Sequence, residues 1–426
     1  MTQHHDARPA AGDGRMPPPA EAGRGPGGVL AEDRPADPQT EPGAGDWAER
    51  LWRAVAGGDE HTGAAVVFAA LDAGLDEETV LLDVIGTVQR RVGAEWAADR
   101  MTVAAEHAAT AVNERLIAAM AHRHPAERTA ATAEAAPGRL PGPGAALPPP
   151  GNTGNATRAR TGNGRPPTRG RITVACTEGE WHALPARLLA EVLRLRGWHV
   201  DYLGATVPTP HLISHLHRTG PDALALSASL AVRLPTAHAA ITACQATGVP
   251  VLAGGAAFGP DGRYATALGA DAWAPDARAA AELLEAGPLR RPRGPHHVID
   301  DLPHLADQEY TLVTRTARDL VRATLLGLED RVPAVRAYDD DQRERTAEDI
   351  AHIVQFLATS LYTADPDLFT GFMTWTADVL AVRGVPAGAL IPALDLLADQ
   401  LGDFPRAVAT LDRARTDLTA ASGNPA

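Results

Sequence analysis

The sequence predicts a multidomain α and α/β chain: a four-helix bundle, then a doubly wound parallel-sheet domain, then an all-α domain. Three observations predict it. Between Thr173 and Gly255 the apolar runs ITVAC, HVDYLG, LALSASL and VPVLAGG alternate with amphipathic stretches, the pattern of parallel strands joined by crossover helices. From Asp46 to about His124, apolar residues recur every three and four positions in four successive segments, as in a helical bundle. From Asp301 onward, helical patterns run to the end of the chain.

Composition sets the outer limits. A chain of 426 residues with 45% hydrophobic content builds two or three cores. A formal charge of −14 argues against nucleic acid as the main partner, because phosphate binding needs a basic surface. Cys176 and Cys244 offer neither a disulfide framework nor a zinc spacing, which suits a reducing compartment. No apolar run approaches the ~18 residues of a membrane span, and the N-terminus lacks a charged-then-apolar leader. The expected location is the cytoplasm, with no membrane partner.

In chain order, residues 1–45 are rich in Pro, Gly and charge and have little to bury, so they are read as a disordered tail. Such a tail leaves no room for a helix-turn-helix domain ahead of the bundle. In the bundle, residues 46–124, Asp46 is expected to cap a helix holding Trp47, Leu51 and Trp52, and Gly74 to end the second. Asp76 opens the third helix and Thr102 the fourth. Residues 125–170 form a Pro-, Gly- and Ala-rich linker, long enough for the bundle to swing away without strain. The α/β domain spans 171–288, a second short Pro- and Arg-rich linker 289–300, and the helical domain 301–426, with breaks at Asp365-Pro366 and Gly384-Val385-Pro386.

The chemistry concentrates at strand ends. The first strand runs into a polar loop carrying Glu180 and His182; Ser227 and Ser229 close a later strand, and Gly254-Gly255 another. In open parallel sheets ligands bind beyond the carboxyl ends of the strands, and small residues there leave a slot. This spacing resembles the cobalamin-binding domains of methionine synthase, the mutases and the light-dependent cobalamin regulators, with their Asp-x-His-x-x-Gly, Ser-x-Leu and Gly-Gly pattern. The resemblance covers Arg171 to about Ala286 and implies a Rossmann-like fold. It also implies that His182 is the lower ligand to cobalt, and that the nucleotide tail lies beside Ser227, Ser229, Gly254 and Gly255. Glu180 stands where the family has Asp, and Pro185 where it has Gly. Glu180 is still able to orient the imidazole through its other nitrogen, and Pro185 suits the first turn of a helix.

The bundle carries a second constellation, Trp96 followed by Glu106-His107. A tight hairpin between the third and fourth helices brings all three to one end. An indole there covers an adenosyl group, and Glu106 accepts from ribose hydroxyls. The Trp-x9-Glu-His pattern resembles adenosylcobalamin photoreceptors of the light-dependent regulator type, which implies adenosylcobalamin as cofactor and a cap role for the bundle. In some of these, a His directly after the Trp takes the upper cobalt position once light has removed the adenosyl group. This chain has Ala97 there, which leaves His107 as the nearest candidate.

The helical domain resembles the sensor module of photocobilins, which implies a globin-like fold holding a bilin such as biliverdin. Asp339, Arg343, Arg345, His352, Tyr362, Trp375 and Arg383 are of the types that hold pyrrole NH groups and propionates. For His352, on an apolar helix face, a core role and a ligand role both stay open. With no cysteine in this domain, no thioether link is expected.

These readings add up to a light-sensing protein with no catalytic residues, not an enzyme. Output is expected through a separate signalling partner protein or through oligomerisation, such as a homodimer. Two alternatives remain. A corrinoid carrier in methyl transfer shares the cap and the His182 loop but has no use for Trp-x9-Glu-His. The other is a cobalamin sensor whose C-terminal interaction domain is an empty or haem-binding globin fold.

Overall fold

The computed structural model describes residues 42–122, 169–290 and 302–422. The N-terminal tail and the two linkers read from the sequence lie outside the described residues, except at their edges. The bundle comprises α1 (Ala44–Ala56), α2 (Glu60–Asp72), α3 (Glu77–Thr79), α4 (Gly86–Ala97) and α5 (Val103–His122). Between α3 and α4, residues Val80–Ile85 continue the helix with π-type spacing. Asp46 does not cap α1 from outside. It stands inside the first turn and reaches back to accept from the Gly43 N–H at 3.1 Å. Thr102 does cap α5, its hydroxyl accepting from the Ala105 N–H at 3.2 Å.

The α/β domain holds five parallel strands: β1 (Arg171–Cys176), β2 (His199–Gly204), β3 (Ala223–Ser227), β4 (Val251–Gly254) and the short β5 (Ala272–Ala274), in the order β2-β1-β3-β4-β5. Its helices are α6 (Leu184–Leu195), α7 (Thr209–Thr219), α8 (Leu234–Gln245), α9 (Arg263–Ala267) and α10 (Ala277–Glu285). β1, β3 and β4 are buried along nearly their whole length, which explains their continuous apolar runs, whereas β2 at the edge is half-buried throughout.

The other two domains add a further layer on each side of the sheet. The bundle packs on α6 and α10, where Leu81, Ile85, Leu116, Leu184, Leu188 and Leu284 join one core. Gly86 lies on this seam, where a Cβ would meet Leu188 Cδ1 at 3.8 Å, an ordinary van der Waals contact. An ion network crosses the same seam. Arg196 binds Glu78 through two nitrogens at 2.9 and 2.8 Å and Glu285 at 3.2 Å, and Arg278 binds Glu78 and Asp83 at 3.2 and 3.0 Å. The bundle is therefore not free to swing away at no cost, whatever the linker length: moving it exposes leucines and separates paired charges.

The C-terminal region is all-α: α11 (Glu309–Arg331), α12 (Asp340–Thr363), α13 (Pro366–Val382), α14 (Ile391–Gln400) and α15 (Pro405–Ser422). Leu357, Phe369, Leu397 and Leu411 form its centre. Asp365 caps α13 through the Asp367 N–H at 2.9 Å, and Gly384 takes φ +78° where the next break falls. This domain covers the α7–α9 side of the sheet. Tyr362 enters the core around Phe258 and Leu234, with its hydroxyl 2.9 Å from His238 Nδ1. The Tyr264 hydroxyl donates to Asp365 at 2.7 Å.

Candidate cofactor site

The strand order reverses between β1 and β3, and the residues singled out in the sequence follow those two strands and β4. Register aligns their ends in one row, with Cys176 beside Ser227 and Ser227 beside Gly254, which in turn faces Ala274. Ligands bind at such switch points.

Glu180 lies in the loop after β1 and is fully buried, at 0% exposure. One carboxylate oxygen accepts from the His182 N–H at 2.9 Å and stands 2.6 Å from His182 Nδ1; the other accepts from the Ser229 and Leu230 N–H groups at 2.7 and 3.1 Å. Burial opposes ionisation of this carboxyl, but the bonds from His182, Ser229 and Leu230 outweigh it and hold its pKa down at about 2. A permanently ionised Glu180 fixes the tautomer of His182. Nδ1 carries the proton, and Nε2, on a ring with 57% of its side chain exposed, keeps its lone pair for another partner. The bond to Glu180 raises the His182 pKa against partial burial, and the charge of Glu106 in the bundle adds to the rise.

Beside this loop, an open cleft runs down between α6, α10 and the strand ends, lined by Pro185, Leu189, Ser227, Gly254, Gly255 and Ala274 among others. Pro185 sits in the first turn of α6. Gly255 has φ +100°, and a Cβ there would lie 2.3 Å from the Ala228 carbonyl oxygen. Small side chains thus keep the slot open, and Gly255 is the residue its backbone requires. Ser229 contributes through its N–H, which anchors Glu180, and not as part of the slot wall.

At the bundle end, α4 and α5 are locked by a chain of hydrogen bonds. Asn113 donates to Gln89 at 2.8 Å, Gln89 to Thr110 at 2.8 Å, and Thr110 to Glu106 at 2.9 Å. The other Glu106 oxygen stands 2.7 Å from His107 Nδ1, while the hydrogen bond of that nitrogen runs to the Val103 carbonyl oxygen at 2.9 Å. Trp96, half-buried at the end of α4, lies 6.4 Å from Trp375 of α13 between ring centroids.

A single carboxylate-backed imidazole above an apolar slot is the donor arrangement that a cobalamin with its tail inserted requires, and the residues present fit it. Residues 170–284 match the B12 binding domain family, and residues 47–120 match a second family also described as a B12 binding domain. The chain carries B12-binding domains. The cobalamin domain is the α/β unit, and the bundle is its helical cap; the all-α region at 302–422 lies outside both matches. Among solved structures, the chain is similar to the monomethylamine corrinoid protein of Methanosarcina barkeri, with 16% identity over 57% of this chain and 100% of that one and a TM-score of 0.42. It is similar to the methanol:cobalamin methyltransferase complex MtaBC of Methanosarcina barkeri at 17% identity, covering 60% and 85%, with a TM-score of 0.26. It is also similar to a cobalamin-binding protein of Desulfitobacterium hafniense DCB-2 at 16% identity, covering 57% and 98%, with a TM-score of 0.27. No curated protein matches the chain. A corrinoid is the cofactor such domains take. Among the described residues no helix is long and apolar enough to cross a membrane.

The seven residues read for a bilin are dispersed. Asp339 caps the start of α12, accepting from the Gln342 N–H at 2.7 Å, and Tyr362 is near the other end of the same 24-residue helix, about 36 Å long at 1.5 Å per residue. Arg343 pairs with Glu329 at 3.4 Å, Arg345 is exposed, and His352, expected on an apolar face, is exposed as well. Arg383 donates to Asp99 of the cap at 3.1 Å, and Trp375 meets Trp96. Trp181, between Glu180 and His182, is 74% exposed beside the loop and was not singled out in the sequence.

Proposed function

We propose that this protein is a light sensor that binds adenosylcobalamin between the cap and the cobalamin domain. The observation carrying this reading is the His182 imidazole held by the buried Glu180, with Glu106 of the cap near enough for its charge to act on that ring and Trp96 at the same end of the cap. When bound, adenosylcobalamin supplies an absorbing corrin and a cobalt–carbon bond that light breaks. In this reading His182 holds the metal from below, and the slot beside Ser227, Gly254 and Gly255 takes the nucleotide tail. Trp96 shelters the adenosyl group and Glu106 accepts from its ribose. His107, held through Nδ1, presents Nε2 for the upper position that Ala97 is unable to fill. Loss of the sheltered group changes what Trp96 and Glu106 grip, and the cap responds only by its differential affinity for the two states. No catalytic role is assigned.

A bilin such as biliverdin in the C-terminal domain belongs to the same proposal, supported by the resemblance of that segment alone. The experiment is an absorption spectrum of the holoprotein before and after illumination, with and without added biliverdin. Loss of the adenosyl group at modest light dose supports the sensor. A spectrum stable to light, with turnover of a methyl group on the metal, supports a corrinoid carrier in its place. A red-shifted band with biliverdin supports the second chromophore.

A further inference from the structure

The cap and the C-terminal domain meet where the sequence reading placed the adenosyl-sheltering residue. Beyond Trp96, the Trp375 ring lies 6.3 Å from Phe372, which stacks on Phe356 at 3.7 Å and 4°. A row of aromatic rings thus leads from the cap end into α13 and α12. Next to it, Arg383 at the end of α13 grips Asp99, which has φ +56° in the turn between Trp96 and Glu106. The two ends of that turn carry Trp96 and Glu106, which the proposed function assigns to the cofactor, and its middle is held by the other domain. Trp375 is nonetheless 46% exposed, a large apolar face left uncovered beside Trp96.

We propose that α13 positions the cap end of the cobalamin site, Trp375 setting the Trp96 indole and Arg383 the Asp99 turn, so that the C-terminal domain discriminates which group lies beneath Trp96. This rests on the proposed function for the identity of that group. Trp375 acts through Trp96 and is a positioning residue. An aromatic pair of this kind changes affinity by about three- to tenfold.

The test uses the full chain in the dark, as wild type, Trp375→Ala, Trp375→Phe and Arg383→Ala. Affinities for adenosylcobalamin and hydroxocobalamin are measured, and amide exchange is followed at Asp99 and Arg100 in the cofactor-free protein. Trp375→Ala is expected to lower the preference for adenosylcobalamin by about three- to tenfold while hydroxocobalamin still binds with its histidine-ligated spectrum. Trp375→Phe should restore most of the preference, and both Ala variants should speed exchange in the turn. An unchanged preference, or equal losses for both cobalamins, overturns the proposal. If the wild type itself shows no preference, the adenosyl reading fails, and the exchange rates then decide the positioning by themselves: unchanged rates overturn it.

Discussion

Oε1 of Glu180 stands 2.6 Å from Nδ1 of His182, with the carboxylate wholly buried and the imidazole largely open to solvent. The buried partner is held by three backbone N–H groups, of His182, Ser229 and Leu230, and has no freedom to follow the ring, so the ring must follow it. The direction of the His182 Nε2 lone pair is thus set by a residue buried behind it.

His182→Ala is expected to leave cobalamin bound, if at all, in the form lacking a protein ligand below cobalt. The absorption spectrum reads this directly, and a spectrum identical to wild type would show that another group ligates.

Glu180→Ala removes the anchor of both His182 and the Ser229-Leu230 backbone. Ligating-histidine partners of this kind are worth about 10- to 100-fold in affinity, to be read by titration with hydroxocobalamin. Glu180→Asp is expected to fall between, because a shorter side chain cannot span from the Ser229 N–H to the imidazole. Full affinity in Glu180→Ala would count against the orienting role.

Trp96→Ala should weaken adenosylcobalamin more than hydroxocobalamin. Equal losses for the two would remove Trp96 from the upper face.

Gly255→Ala forces a side chain into a conformation at φ +100° and against the Ala228 carbonyl oxygen. The expected loss is at least about 2 kcal/mol of stability, measured by denaturant unfolding. A neutral substitution would mean that the turn after β4 relaxes freely.

Glu78 bonds to Arg196 across the cap seam, and this bond, opposed by burial, holds its pKa below the ordinary 4.5. A carboxylate with a lowered folded-state pKa stabilises the docked form above 4.5 and loses that contribution as pH falls through the lowered value. Acid should therefore loosen the cap, and Glu78→Ala should cost about 1–3 kcal/mol of docking at neutral pH and flatten the acid response. Protease accessibility of the bundle as a function of pH reads both.

The sequence by itself determined most of the elements and the placing of Glu180 and His182 in one loop at a strand end. Period-2 and period-3.6 patterns reflect burial along a single element, so the strands from β1 to β4 and the five C-terminal helices were legible, and β5 escaped because three residues carry no period. The Glu180 and His182 spacing was legible because two residues in one loop are local in the chain. What only tertiary structure decided is which surfaces meet. Arg196 with Glu78, Tyr362 with His238 and Trp375 with Trp96 join residues more than a hundred positions apart, and no periodicity records such a pairing. Residue types suited to a chromophore pocket were read together at Asp339, Tyr362, Trp375 and Arg383, whereas the length of α12 and the docking of α13 on the cap separate them, because contact between distant segments is settled by packing and not by composition.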